Sequence, residues 1–259
     1  MKKRNLLFAS LILSLGIGLF SCNVGNGGNV TNFPASPAVV SYDMNTNIPA
    51  IGTWFGYCVA PDLDPTYVDE CVILSGFTID YDHQPSTDYA TATNVVVSAV
   101  VPQKPLEMSS DSVRINNYTL PISNAGVLQA SDGSLMGISP NYYGKVFIGV
   151  ACKDNNPDFR LVYNTQEPDS AGIKNLYLLA LPSSSSSATN VSKNYAFDIM
   201  SLIQYAGRDT TDEKTGYKYK YVKANLKYLA GISDNGVPTY GTLNTSSTGP
   251  YLIAVYVDY

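Results

Sequence analysis

The sequence has little charge and only one histidine. Charged residues make up 14% of its 259 residues, against roughly 25% in typical soluble domains. The single imidazole, His83, excludes metal sites built from several histidines, and nothing in the sequence connects it to a nucleophile. No phosphate-binding loop, dinucleotide fingerprint or nucleophile elbow occurs. The sequence therefore gives no positive indication of an enzyme. Glycoside hydrolysis stays open, since its two carboxylates need not be neighbours in sequence.

Long apolar runs are also lacking. The longest, Leu6 to Phe20, has about 15 residues, fewer than the roughly 20 that a membrane-spanning helix needs. It follows the basic start Met1 to Arg4, and together they predict a secretory signal at residues 1–21. Removal of residues 1–21 leaves a chain with 13 basic and 21 acidic residues, a net charge of −8. Such an acidic chain lacks the basic face that nucleic acids require, so we expect no nucleic-acid partner.

The signal ends in a motif that suggests a lipid anchor. Leu19-Phe20-Ser21-Cys22 resembles the lipobox of bacterial lipoproteins, in which the cysteine is lipidated and becomes the mature N-terminus. Lipidated Cys22 would hold the protein on the outer membrane, because several acyl chains together give stable attachment. Ordinary secretion after cleavage near Ser21 is the alternative. Residues 22–34 begin with a Gly- and Asn-rich stretch and are expected to form a flexible tether.

The membrane face stays undetermined. In lipoproteins of the Bacteroidetes, an acidic cluster after the lipidated cysteine is associated with display on the cell surface. The stretch after Cys22 has no acidic residue. Both the periplasmic and the cell-surface faces therefore stay open.

The remaining chain is predicted to be all-β, with two β domains. Its apolar segments are short, rich in Val, Ile, Tyr and Phe, and separated by Gly, Pro, Asn, Asp and Ser. Proline and glycine are dense between Leu120 and Gly144, which predicts a boundary there. We expect an N-terminal β domain at 35–130 and a C-terminal β-sandwich at 140–259.

Two segments allow finer predictions. Aromatic residues occupy odd positions in 217–221, whereas apolar residues occupy even positions in 222–228. Because this slip would turn side chains to the other face, we expect a β-bulge near Tyr221 and Val222. The run Tyr251 to Val257 is apolar at both phases, which predicts a central strand covered on both faces.

Three cysteines remain after Cys22. Cys58 and Cys71 flank a short polar connection between two predicted strands, and an exported protein can form disulfides. A Cys58–Cys71 bridge is therefore a candidate. Three buried free thiols are the alternative, and the state of Cys152 stays open.

Acidic residues cluster in two predicted turns. The first group is Asp62, Asp64, Asp69 and Glu70, and the second is Asp80, Asp82 and Asp88. Spaced carboxylates can bind Ca²⁺, but neither group follows the twelve-residue calcium loop. Aspartate also serves turns by accepting backbone hydrogen bonds. We predict no cofactor, with Ca²⁺ as the one alternative.

Tyrosine is unusually abundant, with 20 residues against 8 phenylalanines. Tyr217, Tyr219 and Tyr221 share one strand face, with lysines on the other. Exposed rings of this kind can contact sugars or partner proteins and offer hydroxyl groups for hydrogen bonding. The alternative is a set of half-buried cross-strand pairs in an edge sheet.

One family resemblance can be stated at this point. The lipobox, the Gly/Asn tether and the stretch Ala196 to Leu202 are similar to the NigD-like lipoproteins of the Bacteroidetes. That resemblance implies an OB-like first domain, an immunoglobulin-like second sandwich and no established activity. The segment from Asp80 to Tyr89 does not match that family. The chain also resembles fimbrillin-type pilins, lipoproteins of two β-sandwich domains that polymerise by strand exchange.

The functional prediction is a non-enzymatic cell-envelope lipoprotein that binds a protein or glycan partner not identified by the sequence. The alternative is a fimbrial subunit that assembles by β-strand exchange. For that alternative, the apolar run at 251–259 is the candidate exchanged strand. Oligomeric state stays open.

Overall fold

The computed structural model describes residues 29–85, 89–110, 118–130, 134–183, 186–213, 215–243 and 250–257. The predicted signal segment and Cys22 lie outside these ranges. The chain divides into two compact units, the first ending at Val100 and the second beginning at Val101. Within the described ranges, no helix has the length and apolar character needed to cross a membrane.

The first unit is one sheet of six strands. They are β1 (Val30–Phe33), β2 (Ser36–Tyr42), β3 (Pro49–Thr53), β4 (Gly56–Val59), β5 (Cys71–Asp80) and β6 (Ala90–Val101). The order β2-β3-β4-β6-β5 closes on itself, since β5 pairs with both β2 and β6, and β4 runs parallel to β6. This closed order is that of an OB fold, as the family resemblance implies.

Side chains from alternate positions fill the interior of the first unit. On β5 these are Val72 and Leu74, followed by Phe77 and Ile79, so the alternation changes phase between the two pairs. Gly76 lies at the change, with φ +155°, and a Cβ there would come within 2.9 Å of the Phe33 carbonyl oxygen. Glycine therefore permits the close approach of β1 to β5.

Strand β1 lies inside the range predicted to be a tether. Its four residues pair with the second half of β5, from Val30 opposite Asp80 to Phe33 opposite Phe77. The ring of Phe33 stacks on that of Phe77 at 4.6 Å. Residues 30–33 are thus part of the first unit, because the Phe33 ring in this otherwise polar segment packs on Phe77 of β5.

Within the described ranges, the second unit contains ten strands and one short helix. They are β7 (Gln103–Ser109), β8 (Ile122–Val127), β9 (Lys145–Asp154), β10 (Asp158–Asn164), β11 (Ile173–Leu181), β12 (Ser186–Asp198), α1 (Met200–Ala206), β13 (Arg208–Thr211), β14 (Lys218–Ile232), β15 (Pro238–Thr242) and β16 (Tyr251–Tyr256).

These strands form two layers that share β7. The first part of β7, Gln103 to Pro105, pairs with β12, and β12 continues through β9 to β8. The second part, Leu106 to Ser109, pairs with β10, which continues through β11 to β14. A single apolar core between the layers includes Phe197 from one and Leu178 from the other, both fully buried.

The all-β class with two β units is therefore confirmed, and the second unit is a sandwich. It differs from immunoglobulin domains, whose sheets are antiparallel. Here β7 runs parallel to both β10 and β12, and β11 runs parallel to β14.

The boundary between the units precedes the predicted one. The region dense in glycine and proline, Leu120 to Gly144, contributes β8 and a 3-10 turn at Pro140–Tyr142 to the second unit. Tyr142 is completely buried, and its hydroxyl donates to the Met136 carbonyl oxygen at 2.6 Å. Turn residues in this region therefore connect strands within the sandwich and do not form a linker.

The bulge expected near Tyr221 is not formed. β14 keeps a regular register with β16 from Tyr219 to Ala224, and its register shift with β15 falls between Leu229 and Gly231. The side-chain pattern changes because the even-numbered residues of β14 become part of the core only from Val222 onward. A change of environment along one long strand thus produced the apparent slip.

The C-terminal strand is at an edge, which corrects the prediction of a central strand. Among the described strands, β16 pairs with β14 alone. Tyr251, Ile253 and Val255 face the core, whereas Leu252 on the opposite face is 56% exposed. β16 is therefore apolar on both faces because one face is buried in the core and the other is an apolar part of the surface.

Candidate functional site

Two of the predicted tyrosines, Tyr219 and Tyr221, lie at the start of β14, and Tyr217 immediately precedes this strand. Val222, Ala224 and Leu226 point into the core, so Tyr219 and Tyr221, which alternate with them, point to the opposite face. Tyr217, Tyr219 and Tyr221 are each half-buried. The structure thus places all three on one outer surface.

Tyr256 of β16 completes this group. It lies directly opposite Tyr219, and the two ring centroids are 4.8 Å apart. The Tyr217 ring meets the Tyr256 ring edge-on at 5.6 Å. The cross-strand pairing expected as an alternative is therefore present, and the same rings keep part of their surface exposed.

The neighbouring strands add one cation and one aliphatic side chain to the same face. Arg208 on β13 is opposite Tyr221, and Leu252 on β16 is opposite Lys223. Residues directly opposite each other in a sheet share a face. We call this surface the tyrosine face. It consists of Arg208, Tyr217, Tyr219, Tyr221, Lys223, Leu252 and Tyr256.

Two phenol groups of this face, those of Tyr219 and Tyr256, stay neutral at physiological pH. Burial is the main cause that raises the pKa of Tyr219 and of Tyr256 above the ordinary value of 10. The neighbouring Tyr219 raises the pKa of Tyr256 further. The hydroxyls of Tyr219 and Tyr256 therefore stay protonated, and the charged side chains of the tyrosine face are Arg208 and Lys223.

Sequence reasoning missed Tyr256 and Arg208. Tyr256 was assigned to an apolar central strand, although its alternation with Leu252 was visible in the sequence. Arg208 begins a four-residue strand whose side chains are all exposed, and no apolar pattern marks such a strand. Only the pairing with β14 shows that Arg208 is on the tyrosine face.

The candidate cysteine pair faces opposite sides of the first sheet. Cys58 on β4 points into the core together with Val72, and Cys71 is the residue next to Val72 on β5, so it points to the other face. Both are buried thiols, as is Cys152, and none of the three belongs to a disulfide. The predicted Cys58–Cys71 bridge is thus absent from the structure.

Thiol titration checks this arrangement. In the exported chain carrying Cys22→Ala, Ellman's reagent without reductant should detect the three thiols of Cys58, Cys71 and Cys152 after denaturation. The native protein should react slowly, because burial raises the pKa of Cys58 to about 12 and also raises that of Cys152. Detection of a single thiol in the denatured chain would contradict the structure.

The first acidic cluster supports a turn. The Asp64 carboxylate accepts a 2.9 Å hydrogen bond from the backbone N–H of Thr66 and caps a 3-10 turn at Pro65–Tyr67. This bond is the main cause that lowers the pKa of Asp64.

The second cluster organises the connection after β5. Asp80 accepts from the backbone N–H of Asp82 at 3.0 Å, and Asp82 accepts from that of Asn29 at 2.6 Å. Asp88 lies outside the described residues. Among the residues that are described, no group of three or more His, Cys, Asp and Glu side chains is placed to hold a metal ion.

His83 pairs with Asp80, at 2.8 Å between Nδ1 and Oδ2. This hydrogen bond is the main cause that raises the pKa of His83 above 6.5 and lowers that of Asp80. NMR titration of His83 should therefore show a pKa above 6.5 that falls towards this value in Asp80→Asn. Asp64→Asn is the matched control, and an equal decrease there would contradict the pairing.

Comparison with known proteins identifies the architecture. No protein-family model matches the chain, and no curated protein matches it. A structure of an uncharacterised protein from Parabacteroides merdae is similar over 87% of this chain and 99% of that chain, with 16% identity and a TM-score of 0.55. At this identity, the match shows a shared fold.

Two further structures share the arrangement. A candidate lipoprotein from Bacteroides fragilis covers 88% of this chain and 98% of its own, with 12% identity and a TM-score of 0.50. A NigD-like immunity protein from Bacteroides caccae covers 85% of this chain and 97% of its own, with 11% identity and a TM-score of 0.45. The predicted resemblance to NigD-like proteins is confirmed at this level of similarity.

Proposed function

We propose that this protein is a non-enzymatic cell-envelope lipoprotein, anchored to the outer membrane through Cys22, that binds a protein partner at the tyrosine face. The lipobox-like motif supports the envelope location. So does the similarity in fold to the candidate lipoprotein from B. fragilis.

The composition of the tyrosine face is the observation that carries the binding proposal. Tyrosine and arginine are enriched in protein interfaces and among their most important contact residues. Here four tyrosines and Arg208 lie together on one sheet face, and Leu252 adds an aliphatic side chain that is 56% exposed. Stacking on a sugar would use the rings alone, whereas a protein partner would also use Arg208 and Leu252. The face therefore favours a protein over a glycan.

Site-specific photo-crosslinking in the native envelope tests this proposal. A photoreactive phenylalanine analogue replaces Leu252 on the tyrosine face. In a matched control it replaces Val96, which is on β6 of the first unit and 55% exposed. We expect a discrete cross-linked protein only from position 252, with loss of that product when Tyr219→Ser is added. The same cells carrying Cys22→Ala should release the protein from the membrane fraction.

Each other outcome has a distinct meaning. Equal products from positions 252 and 96 would show that the tyrosine face is not the binding surface. Retention of Cys22→Ala in the membrane would contradict the anchor. A glycan product at position 252 would replace the protein partner with a sugar. A ladder of multiples of the chain would favour the fimbrial alternative.

The position of β16 bears on the fimbrial alternative. Strand exchange would require β16 to leave β14, with which it pairs at six positions from Tyr219–Tyr256 to Ala224–Tyr251. It would also remove Tyr251, Ile253 and Val255 from the core. A subunit completed within its own chain needs no donor strand, so we favour the binding module.

A further inference from the structure

We infer that the protein partner presents an acidic segment, and that its carboxylates bind in a cleft beside the tyrosine face between Arg208 and Lys223. This inference rests on the proposed function and specifies the chemistry of the partner.

The cleft arises from a break in strand pairing along one side of β14. β13 pairs with residues 218–221, and β11 pairs with 223–228. Both lie on the side of β14 opposite β16, because β16 pairs with residues 219–224. Within the described structure, Val222 therefore has no strand partner on the side of the break. A cleft of about 40 Å³ lies there.

The charges around the break are predominantly positive. Arg208, Lys174 and Lys223 line the cleft. Lys174 forms an ion pair with Asp169. Arg208 and Lys223 are exposed, and neither makes an ion pair with another described residue. Two uncompensated cations thus converge on one cleft in a chain whose formal net charge is −5.

A tight turn beside β11 lies against the guanidinium group of Arg208. Ala171 and Gly172 both adopt left-handed backbone conformations, with φ of 55° and 77°, and the turn is closed by a 2.9 Å bond from the Ile173 N–H to the Ser170 carbonyl. A Cβ at position 172 would lie 2.6 Å from Nη2 of Arg208. The glycine therefore leaves the space that the Arg208 side chain occupies.

This arrangement suits carboxylates attached to a peptide. Arginine presents a planar fork that binds a carboxylate through two hydrogen bonds, and lysine adds a point charge. Tyr221 lies opposite Arg208 and lines the cleft. Consequently, a partner that covers the tyrosines can place an acidic side chain in the cleft without leaving the face. Complementary charge of this kind fixes the orientation of a complex and accelerates its formation.

Binding of a defined acidic peptide tests the inference. The probes are an alternating Asp/Glu peptide of about ten residues and its Asn/Gln counterpart, each with a neutral fluorescent label. They are titrated against the exported chain carrying Cys22→Ala and followed by fluorescence anisotropy. We expect the acidic peptide to bind at least about tenfold more tightly than its counterpart, with an affinity that falls as salt rises towards about 0.15 M.

Charge-reversal variants locate the binding site. Arg208→Glu and Lys223→Glu should each weaken binding of the acidic peptide by about tenfold. Lys153→Glu is the matched control, because Lys153 is exposed on β9 and its replacement changes the net charge equally. It should change the affinity by less than about twofold. Arg208→Gln and Lys223→Gln, which remove charge without adding a carboxylate, should show the same order of effects if the reversed variants fail to fold.

Three results would overturn the inference. They are equal binding of the two peptides, no binding of either, and an equal loss in Lys153→Glu. Failure here is distinguishable from failure of the proposed function. If crosslinking at position 252 depends on Tyr219 while the acidic peptide does not bind, the proposed protein-binding function is supported. The inference that the partner is acidic is then contradicted. If position 252 gives no cross-link, the proposed function itself fails.

Discussion

Replacing Phe197 with alanine is expected to lower the free energy of unfolding by about 3 to 5 kcal/mol, the range for removing a buried phenylalanine side chain from a packed core. Phe197 is fully buried between the two layers of the second unit. Its ring lies 6.1 Å from that of Tyr195 on the same strand. The substitution leaves a cavity in the apolar core that the two layers share, and the paired strands around it leave little freedom to close that cavity.

Chemical denaturation followed by far-UV circular dichroism measures this effect. Tyr205→Ala is the matched control, because it also removes an aromatic ring but from a residue of α1 that is 65% exposed. Its effect should stay within about 0.5 kcal/mol, as for other surface substitutions. Similar losses in the two variants would contradict the placement of Phe197 in the core.

The second large effect is expected at Gly137, within the region whose composition predicted a domain boundary. A Cβ there would lie 2.5 Å from the Phe147 carbonyl oxygen and 2.8 Å from the Leu128 backbone nitrogen. The Gly137 N–H donates to the Leu128 carbonyl at 2.8 Å, and the Phe147 N–H donates to the Gly137 carbonyl at 2.9 Å. Since backbone atoms on both sides are fixed, Gly137→Ala should destabilise the protein by about 2 to 3 kcal/mol, typical of overpacking.

Gly126 provides the control. A Cβ at that position on β8 would meet no atom within 4 Å. Gly126→Ala should therefore change the free energy of unfolding by less than about 1 kcal/mol. If Gly137→Ala is tolerated as well as Gly126→Ala, the close packing of Gly137 against Leu128 and Phe147 is contradicted. Denaturation curves of the two variants under the same conditions separate these results.

The sequence was sufficient for the fold class, because local patterns determine strands. Short apolar segments between turn residues correctly predicted an all-β chain of two units. Residues that alternate across a half-buried strand, such as Phe159, Leu161 and Tyr163 on β10, carry this signal locally. The family resemblance added the OB-like order of the first unit, which periodicity alone does not contain.

The same local patterns misassigned features that depend on distant partners. Gly137 has the composition of a linker, yet the Phe147 carbonyl and the Leu128 nitrogen enclose it. Tyr251 to Tyr256 is apolar enough for a central strand, yet it pairs with β14 alone among the described strands. Composition reports that a segment is apolar or turn-forming, whereas its neighbours decide whether it is an edge, a core strand or a connection.

The candidate site divides in the same way. The sequence by itself placed Tyr217, Tyr219 and Tyr221 on one strand face, because side chains alternate along a strand. Only the tertiary structure added Tyr256, Leu252 and Arg208, since strand pairing over long sequence separations brings β13 and β16 against β14. The break between β13 and β11 likewise exists only in the assembled sheet, because it depends on where two distant strands end along a third.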